Sequence, residues 1–152
     1  RRDPEVELEI DVVRWLTEIF CLGETVAVPL FSALRRGCTV DCARAALDRV
    51  LEDEVRHRDF GWTGLRWLLE ETPHGASLRE VVQAELGGMF RRLRGNYAGQ
   101  RGQCTPAEVA WGLMAPPKYG VVLAETLARA YVPRFEALGI DAATSWAESE
   151  AI

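Results

Sequence analysis

Three side chains that can bind a metal ion fall on helical faces that are otherwise apolar. Glu24 lies between Phe20 and Ala27 at helical spacing, and Glu54 and His57, three residues apart, lie on a second such face. Charged side chains are rarely buried without a partner, because an unpaired buried carboxylate is costly. Carboxylates and imidazoles suit ions such as manganese and iron. The sequence therefore predicts that Glu24, Glu54 and His57 are metal ligands.

The first element that must position these residues is a long helix from about Pro4 to Arg36. Asp3 is its expected N-cap, and Pro4 suits the first helical position. Two adjoining apolar stripes indicate a helix that is buried over a broad face. The first stripe consists of Val13, Thr17, Phe20, Glu24, Ala27, Phe31 and Leu34. The second consists of Leu16, Ile19, Gly23, Val26, Leu30 and Ala33.

A second long helix is predicted to lie antiparallel to the first. Gly37 is expected to end the first helix, and Thr39 or Asp41 is expected to cap the second. The second helix should run to about Glu71, where Pro73 stops it. A connection this short makes the two helices antiparallel neighbours.

The predicted ligands also agree in height along this hairpin. Glu24 precedes Gly37 by 13 residues, which is about 20 Å of helix at the standard rise. Glu54 follows Thr39 by 15 residues, or about 22 Å. His57 lies one turn beyond Glu54 on the same face. The two carboxylates and the imidazole are therefore expected to converge on one point.

The local sequence around these residues resembles a known family. The segments Cys21-Leu22-Gly23-Glu24-Thr25 and Glu52-Asp53-Glu54-Val55-Arg56-His57 are similar to the second half-site of ferritin-like diiron-carboxylate proteins. In that superfamily a four-helix bundle holds two metals, and each half supplies a lone Glu and a Glu-x-x-His.

The resemblance implies roles for the three predicted ligands. Glu24 and Glu54 would be the carboxylate ligands and His57 the terminal nitrogen ligand, with iron, or alternatively manganese, as the cofactor. It implies oxygen-dependent oxidation of a small-molecule substrate, as in an oxidase or oxygenase, or ferroxidase activity.

The chain supplies only half of such a site. The one other histidine, His74, lies in a Pro-His-Gly turn and has no glutamate three residues before it. Three sources of the second half remain open: a missing segment before Arg1, a second copy in a homodimer with two-fold symmetry, or none. In the last case the chain is a non-catalytic ferritin-fold interaction or structural protein. The alternative to metal binding is a buried hydrogen-bonded cluster of these three residues, for which Arg56 and Arg58 are candidate partners.

The rest of the chain is predicted to add helices to this hairpin. The sequence thus predicts one all-α domain over residues 1–152, a ferritin-like helical bundle with a hairpin over 4–72 and C-terminal helices over 77–152. The predicted features of the C-terminal part are a Ser77–Glu80 capping box with a helix through Leu93, a loop over 95–104, a Thr105–Glu108 capping box with a short helix, a helix over 119–139, and a last helix capped by Asp141.

Composition argues against several other classes of protein. The 152 residues are 48% hydrophobic and 27% charged, as in a folded domain. The net charge of -5 argues against a nucleic-acid partner. We recognise no signal peptide and no apolar run of the roughly 18 residues that a membrane-spanning helix needs. The four cysteines lack the paired spacing of a zinc knuckle, and reduced thiols are typical of the cytoplasm, where we expect this protein.

Overall fold

The chain folds as helices, which confirms the all-α prediction. The computed structural model describes residues 4–150, and no strand occurs in that range. Asp3, the predicted cap of the first helix, lies outside the described residues. The helices are α1, a continuous run of Pro4–Trp15, Leu16–Glu24 and Thr25–Gly37; α2, Asp41–Glu70; α3, Gly75–Tyr97; α4, Pro106–Ala110; α5, a run of Pro117–Thr126, Leu127–Tyr131 and Val132–Glu136; and α6, Ala142–Glu150.

The middle of α1 is a π-helix, Leu16–Glu24. Its i→i+5 bonds put more residues into each turn than an α-helix has, so later side chains are rotated. The first predicted stripe is wrong from this point, because Phe20, Ala27 and Phe31 are only half-buried. The second is wrong at Ile19, which is 44% exposed, and right at Val26 and Leu30, which are buried. Cys21, Leu22 and Thr25 complete the buried face of this part of α1.

Backbone hydrogen bonds, and not side-chain caps, form the turn between α1 and α2. The amides of Thr39 and Val40 donate to the carbonyl of Ala110 at 2.9 and 3.1 Å. Val40 occupies the N-cap position without a side-chain bond. The prediction that Thr39 or Asp41 caps α2 is therefore wrong, because contact with α4 sets the turn and Asp41 already lies inside the first helical turn.

Helices α1 and α2 approach each other closely at glycines of α2. A methyl group at Gly61 would lie 2.9 Å from the carbonyl carbon of Phe20, and one at Gly64 would lie 3.2 Å from the Leu16 side chain. Glycine is needed there because it lets the two backbones meet with no Cβ between them. Gly61 is one turn after the predicted histidine ligand, so this contact sets the distance between the helices at the site.

Helix α3 begins earlier and ends later than predicted. It starts at Gly75, and Ser77 makes no cap, because His74 holds the N-cap position. A Cβ at Gly75 would overlap the carbonyl of Leu69, so glycine is needed where the chain turns from α2. The helix continues to Tyr97, three residues into the predicted loop. Its predicted core residues are buried, namely Leu78, Val82, Leu86, Met89 and Leu93.

The remaining helices match the predicted capping more closely. Thr105 and Glu108 form the predicted capping box at the start of α4. Helix α5 ends at Glu136, and Gly139 lies in the following turn with φ +74°. Asp141 caps α6 by accepting a bond from the amide three residues later at 2.9 Å.

The first helix contains the most apolar stretch of the chain. Over Val6–Gly37 its mean hydropathy reaches 1.4 in an 18-residue window, so it is long and apolar enough to cross a membrane by length and composition. The prediction that no such run exists is therefore wrong. Within the protein, 44% of that window is buried. Core helices of soluble proteins and signal sequences pass the same test, so the finding assigns no location by itself.

Candidate metal centre

The three predicted ligands lie together. Glu24, Glu54 and His57 each offer one ligand atom, and these atoms lie within 4.8 Å of one another. His57 Nδ1 lies 3.7 Å from Glu54 Oε2. Glu24 comes from α1, and the other two come from successive turns of α2. The spacing argument from the sequence thus brought the correct turns to one level.

The π-helical segment ends at Glu24 and is held in place from the interior. The Tyr131 hydroxyl donates to the carbonyl of Leu22 at 2.6 Å, and the Trp62 indole donates to Thr25 Oγ1 at 2.8 Å. Tyr131 is completely buried. These bonds anchor the backbone on both sides of Glu24, and π-helical turns of this kind are frequent at functional sites.

Glu54 carries a buried oxygen with no hydrogen-bond partner. The Glu54 side chain is 17% exposed. Of the buried side-chain nitrogen and oxygen atoms in the described residues, Glu54 Oε2 is the one that has no hydrogen-bond partner. Leaving such an acceptor unsatisfied costs about 1–3 kcal/mol, and more when the group is charged. A cation bound by the ligand atoms of Glu24, Glu54 and His57 would interact with this oxygen, so the three residues fit a metal ion.

The arginines that could have neutralised the cluster pair elsewhere. Arg56 forms ion pairs with Glu52 and Asp53, and Arg58 pairs with Asp59. Both arginines thus pair with acidic neighbours on α2. Neither arginine therefore pairs with the cluster. A buried cluster held by hydrogen bonds among its own members stays the alternative to metal binding.

Glu24 is the candidate ligand whose protonation is most affected by its surroundings. Burial, followed by the neighbouring Glu54 carboxyl, raises the pKa of Glu24 to about 8. Two carboxyl groups this close do not both ionise readily near neutral pH. In the metal-free protein, Glu24 therefore holds a proton at neutral pH, and a bound cation would displace it.

His57 forms the open side of the cluster. Its side chain is 50% exposed, and its ring meets Phe20 edge-on with centroids 6.2 Å apart. Phe20 in turn packs edge-on against Trp15 and Phe60, at 4.7 and 5.2 Å. The imidazole is thus oriented by an aromatic cluster that is itself largely exposed.

A cavity of about 390 Å³ lies beside the two carboxylates, between α1 and the end of α3. Aliphatic and aromatic side chains form part of its wall, and the Glu18–Arg92 ion pair, Asn96 and Tyr97 add charged and polar groups. Burial and the nearby Glu24 and Glu54 carboxylates raise the pKa of Tyr97. Sequence reasoning missed Asn96 and Tyr97, because both fall in a segment predicted as a loop and only the end of α3 brings them to the site.

The second histidine does not belong to this centre. His74 Nδ1 lies 2.8 Å from Glu9 Oε2 at the other end of the hairpin. Within residues 6–150, no second group of three His, Cys, Asp or Glu side chains has the spacing of a metal site. The described chain thus contains one half of the ligand set expected for a dinuclear centre.

Comparison of the chain with protein-family models, curated proteins and solved structures found no match. The ferritin-like resemblance therefore stays a prediction.

Proposed function

We propose that Glu24, Glu54 and His57 bind iron or manganese as one half of a ferritin-like dinuclear centre. The observation that carries the proposal is the fully buried, unpartnered Oε2 of Glu54 within a cluster whose donor atoms lie within 4.8 Å. Without a cation, the Glu54 carboxylate depends on the proton of the neighbouring Glu24 carboxyl to offset the cost of its burial.

Each residue has a distinct part in this proposal. Glu54 supplies a carboxylate that is already desolvated, and Glu24 becomes a ligand when it releases its proton. His57 supplies an imidazole nitrogen on the exposed side. When bound, iron supplies redox chemistry with oxygen and manganese is the alternative ion. The adjoining cavity has both apolar and polar side chains in its wall, which suits a small organic substrate that carries both kinds of group. The reaction class is oxygen-dependent oxidation.

We propose a second copy of the chain as the source of the other half. The support is an exposed aromatic surface that continues from His57 across Phe20. Trp15, Phe60 and Trp67 are 53%, 57% and 57% exposed, so each leaves on the order of 100 Å² open to solvent. Exposed apolar surface of this size marks interaction sites. A two-fold pair of hairpins meeting there would bring two copies of the ligand set together in a four-helix arrangement.

Metal analysis tests the proposed centre. Protein from iron-rich and manganese-rich media is compared with His57→Ala, and with His74→Ala as a matched control for the loss of one histidine. We expect wild type and His74→Ala to retain metal, and His57→Ala to lose at least tenfold in affinity. Equally negligible metal in wild type and His57→Ala would refute the proposal.

The mass in solution tests the second copy. Wild type should sediment at about twice the 17.0 kDa chain mass. Trp15→Ser should sediment as a monomer. Trp111→Ser, which changes another exposed tryptophan, should leave the dimer intact. A metal-bound monomer, or a dimer that survives Trp15→Ser, rules out this arrangement without touching the metal ligands.

A non-catalytic helical protein is the second candidate function. It is favoured by the single half-site within residues 6–150 and by the Met, Leu, Asn and Tyr side chains that line α3 where further ligands would be needed. Redox-inactive protein that binds no metal but still dimerises through the aromatic surface would support it.

A further inference from the structure

A second cavity, separate from the metal centre, lies between α1, α2 and α5. Its volume is about 160 Å³, and its wall includes Thr25, Arg58, Glu125, Arg129 and Arg134. Thr25 and Arg58 directly follow Glu24 and His57 in the chain. The two cavities therefore use neighbouring residues of the same helices, but they share none of the side chains that line them.

The wall of this second cavity carries an excess of positive charge. Three guanidinium groups face one carboxylate, that of Glu125. Arg58 also pairs with Asp59 at 2.8 Å outside the cavity wall. Within residues 6–150, neither Arg129 nor Arg134 forms an ion pair. Unpaired cations that share a cavity repel one another, so the cavity favours an anion.

Arg134 is the group that makes this cavity a formed site. Its guanidinium lies over the Trp62 ring, 5.3 Å from the centroid, which fixes its position through a cation–π contact. It is half-buried, and burial, followed by the nearby Arg58, lowers its pKa. Asp59 offsets part of this effect, but it already pairs with Arg58 and does not line the cavity. The remaining cost of holding two partly desolvated guanidinium groups side by side is not compensated. An anionic ligand would remove that cost.

We propose that this cavity binds phosphate or the phosphoryl group of a small molecule. Guanidinium groups offer planar pairs of donors that match phosphate oxygens. A phosphate offers more oxygen atoms than a carboxylate, so it can accept from more of these guanidinium groups at once. The hydroxyl of Thr25, whose oxygen already accepts the Trp62 indole proton, still has its own proton to donate to an oxyanion. The site does not depend on metal binding.

Calorimetric titration at constant ionic strength tests the site. The probes are inorganic phosphate, glycerol phosphate and acetate, added to the full chain. We expect saturable binding of phosphate or of glycerol phosphate, and no binding of acetate. Tighter binding of glycerol phosphate would identify a phosphorylated small molecule as the ligand class, and tighter binding of inorganic phosphate would identify the free ion.

Variants distinguish phosphate binding in this cavity from non-specific attraction of phosphate to exposed arginines. Arg134→Gln should weaken phosphate binding at least tenfold, and so should Arg129→Gln, which changes an exposed side chain and therefore leaves folding intact. Arg91→Gln, another exposed arginine, should bind as wild type. His57→Ala should also bind as wild type, which separates this result from the outcome at the metal centre. No saturable binding of either phosphate probe, equal affinity in Arg129→Gln, or equal loss in Arg91→Gln would overturn the proposal.

Discussion

Replacing Gly61 with alanine should separate the two helices that carry the metal ligands. The new Cβ would overlap Phe20 Cβ and lie 2.9 Å from the Phe20 carbonyl carbon. Carbon atoms prefer separations of about 3.5–4.0 Å. The obstacle is backbone, which cannot rotate away, so α1 and α2 must part by roughly 1 Å. Glu24 and His57 each lie one turn from this contact, on opposite helices.

The size of the effect follows from two opposing terms. Overpacking costs about 1–3 kcal/mol, whereas alanine improves helix propensity by about 1 kcal/mol over glycine. We expect a net loss of up to about 2 kcal/mol in the free energy of unfolding, measured by urea denaturation of metal-free protein. Metal sites tolerate only about 0.2 Å of error in ligand distance, so metal affinity should fall at least tenfold in a direct titration.

Gly95→Ala is the matched control, because no atom lies within 4 Å of the position that its new methyl group would take on α3. It should stabilise the protein by about 0.5–1 kcal/mol through backbone entropy, with unchanged metal affinity. If Gly61→Ala binds metal as tightly as wild type and is equally stable, the helix contact does not set the ligand distances, and the reasoning is refuted.

Further predictions concern Glu24 and Tyr131. Because the pKa of Glu24 is about 8 in the folded protein and about 4.3 when unfolded, the folded state holds the proton more tightly. The metal-free protein should therefore lose stability as pH rises from about 5 to 8. Glu24→Gln should flatten that dependence in urea denaturation, and an identical slope in both proteins would contradict the assignment. Metal affinity should rise with pH up to about 8, by at most tenfold per pH unit, because binding displaces this proton; a flat profile would count against Glu24 as a ligand. Tyr131→Phe removes the 2.6 Å hydrogen bond to the Leu22 carbonyl and should lower the free energy of unfolding by about 1–2 kcal/mol. An unchanged thermal unfolding temperature would show that this bond does not stabilise the fold.

Much of the hairpin could be predicted from the sequence by itself. Gly37 and Pro73 mark the connections, and counting residues from the turn placed Glu24 level with Glu54. This worked because helical rise is nearly constant, so heights along two antiparallel helices follow from numbering alone. The capping boxes and caps around Thr105 and Asp141 were also readable, because they depend on residues only three apart.

The rotation of side chains about the helix axis was decided by the tertiary structure. The π-helical segment rotates the side chains after Leu16, so Ile19 faces solvent and Leu22 is buried. A 3.6-residue period carries no information about this, because the segment is anchored by Tyr131, more than a hundred positions away in the chain.

The surroundings of the metal ligands likewise came only from the fold. The orphaned Glu54 oxygen, the raised pKa of Glu24 and the cavity beside Tyr97 all arise where α1, α2 and α3 meet. The arginine-lined cavity requires α5 to pack against the hairpin. The sequence by itself determined which residues could bind a metal and at what height. Burial, charge and cavity shape depend on contacts between distant segments, so only tertiary packing could decide them.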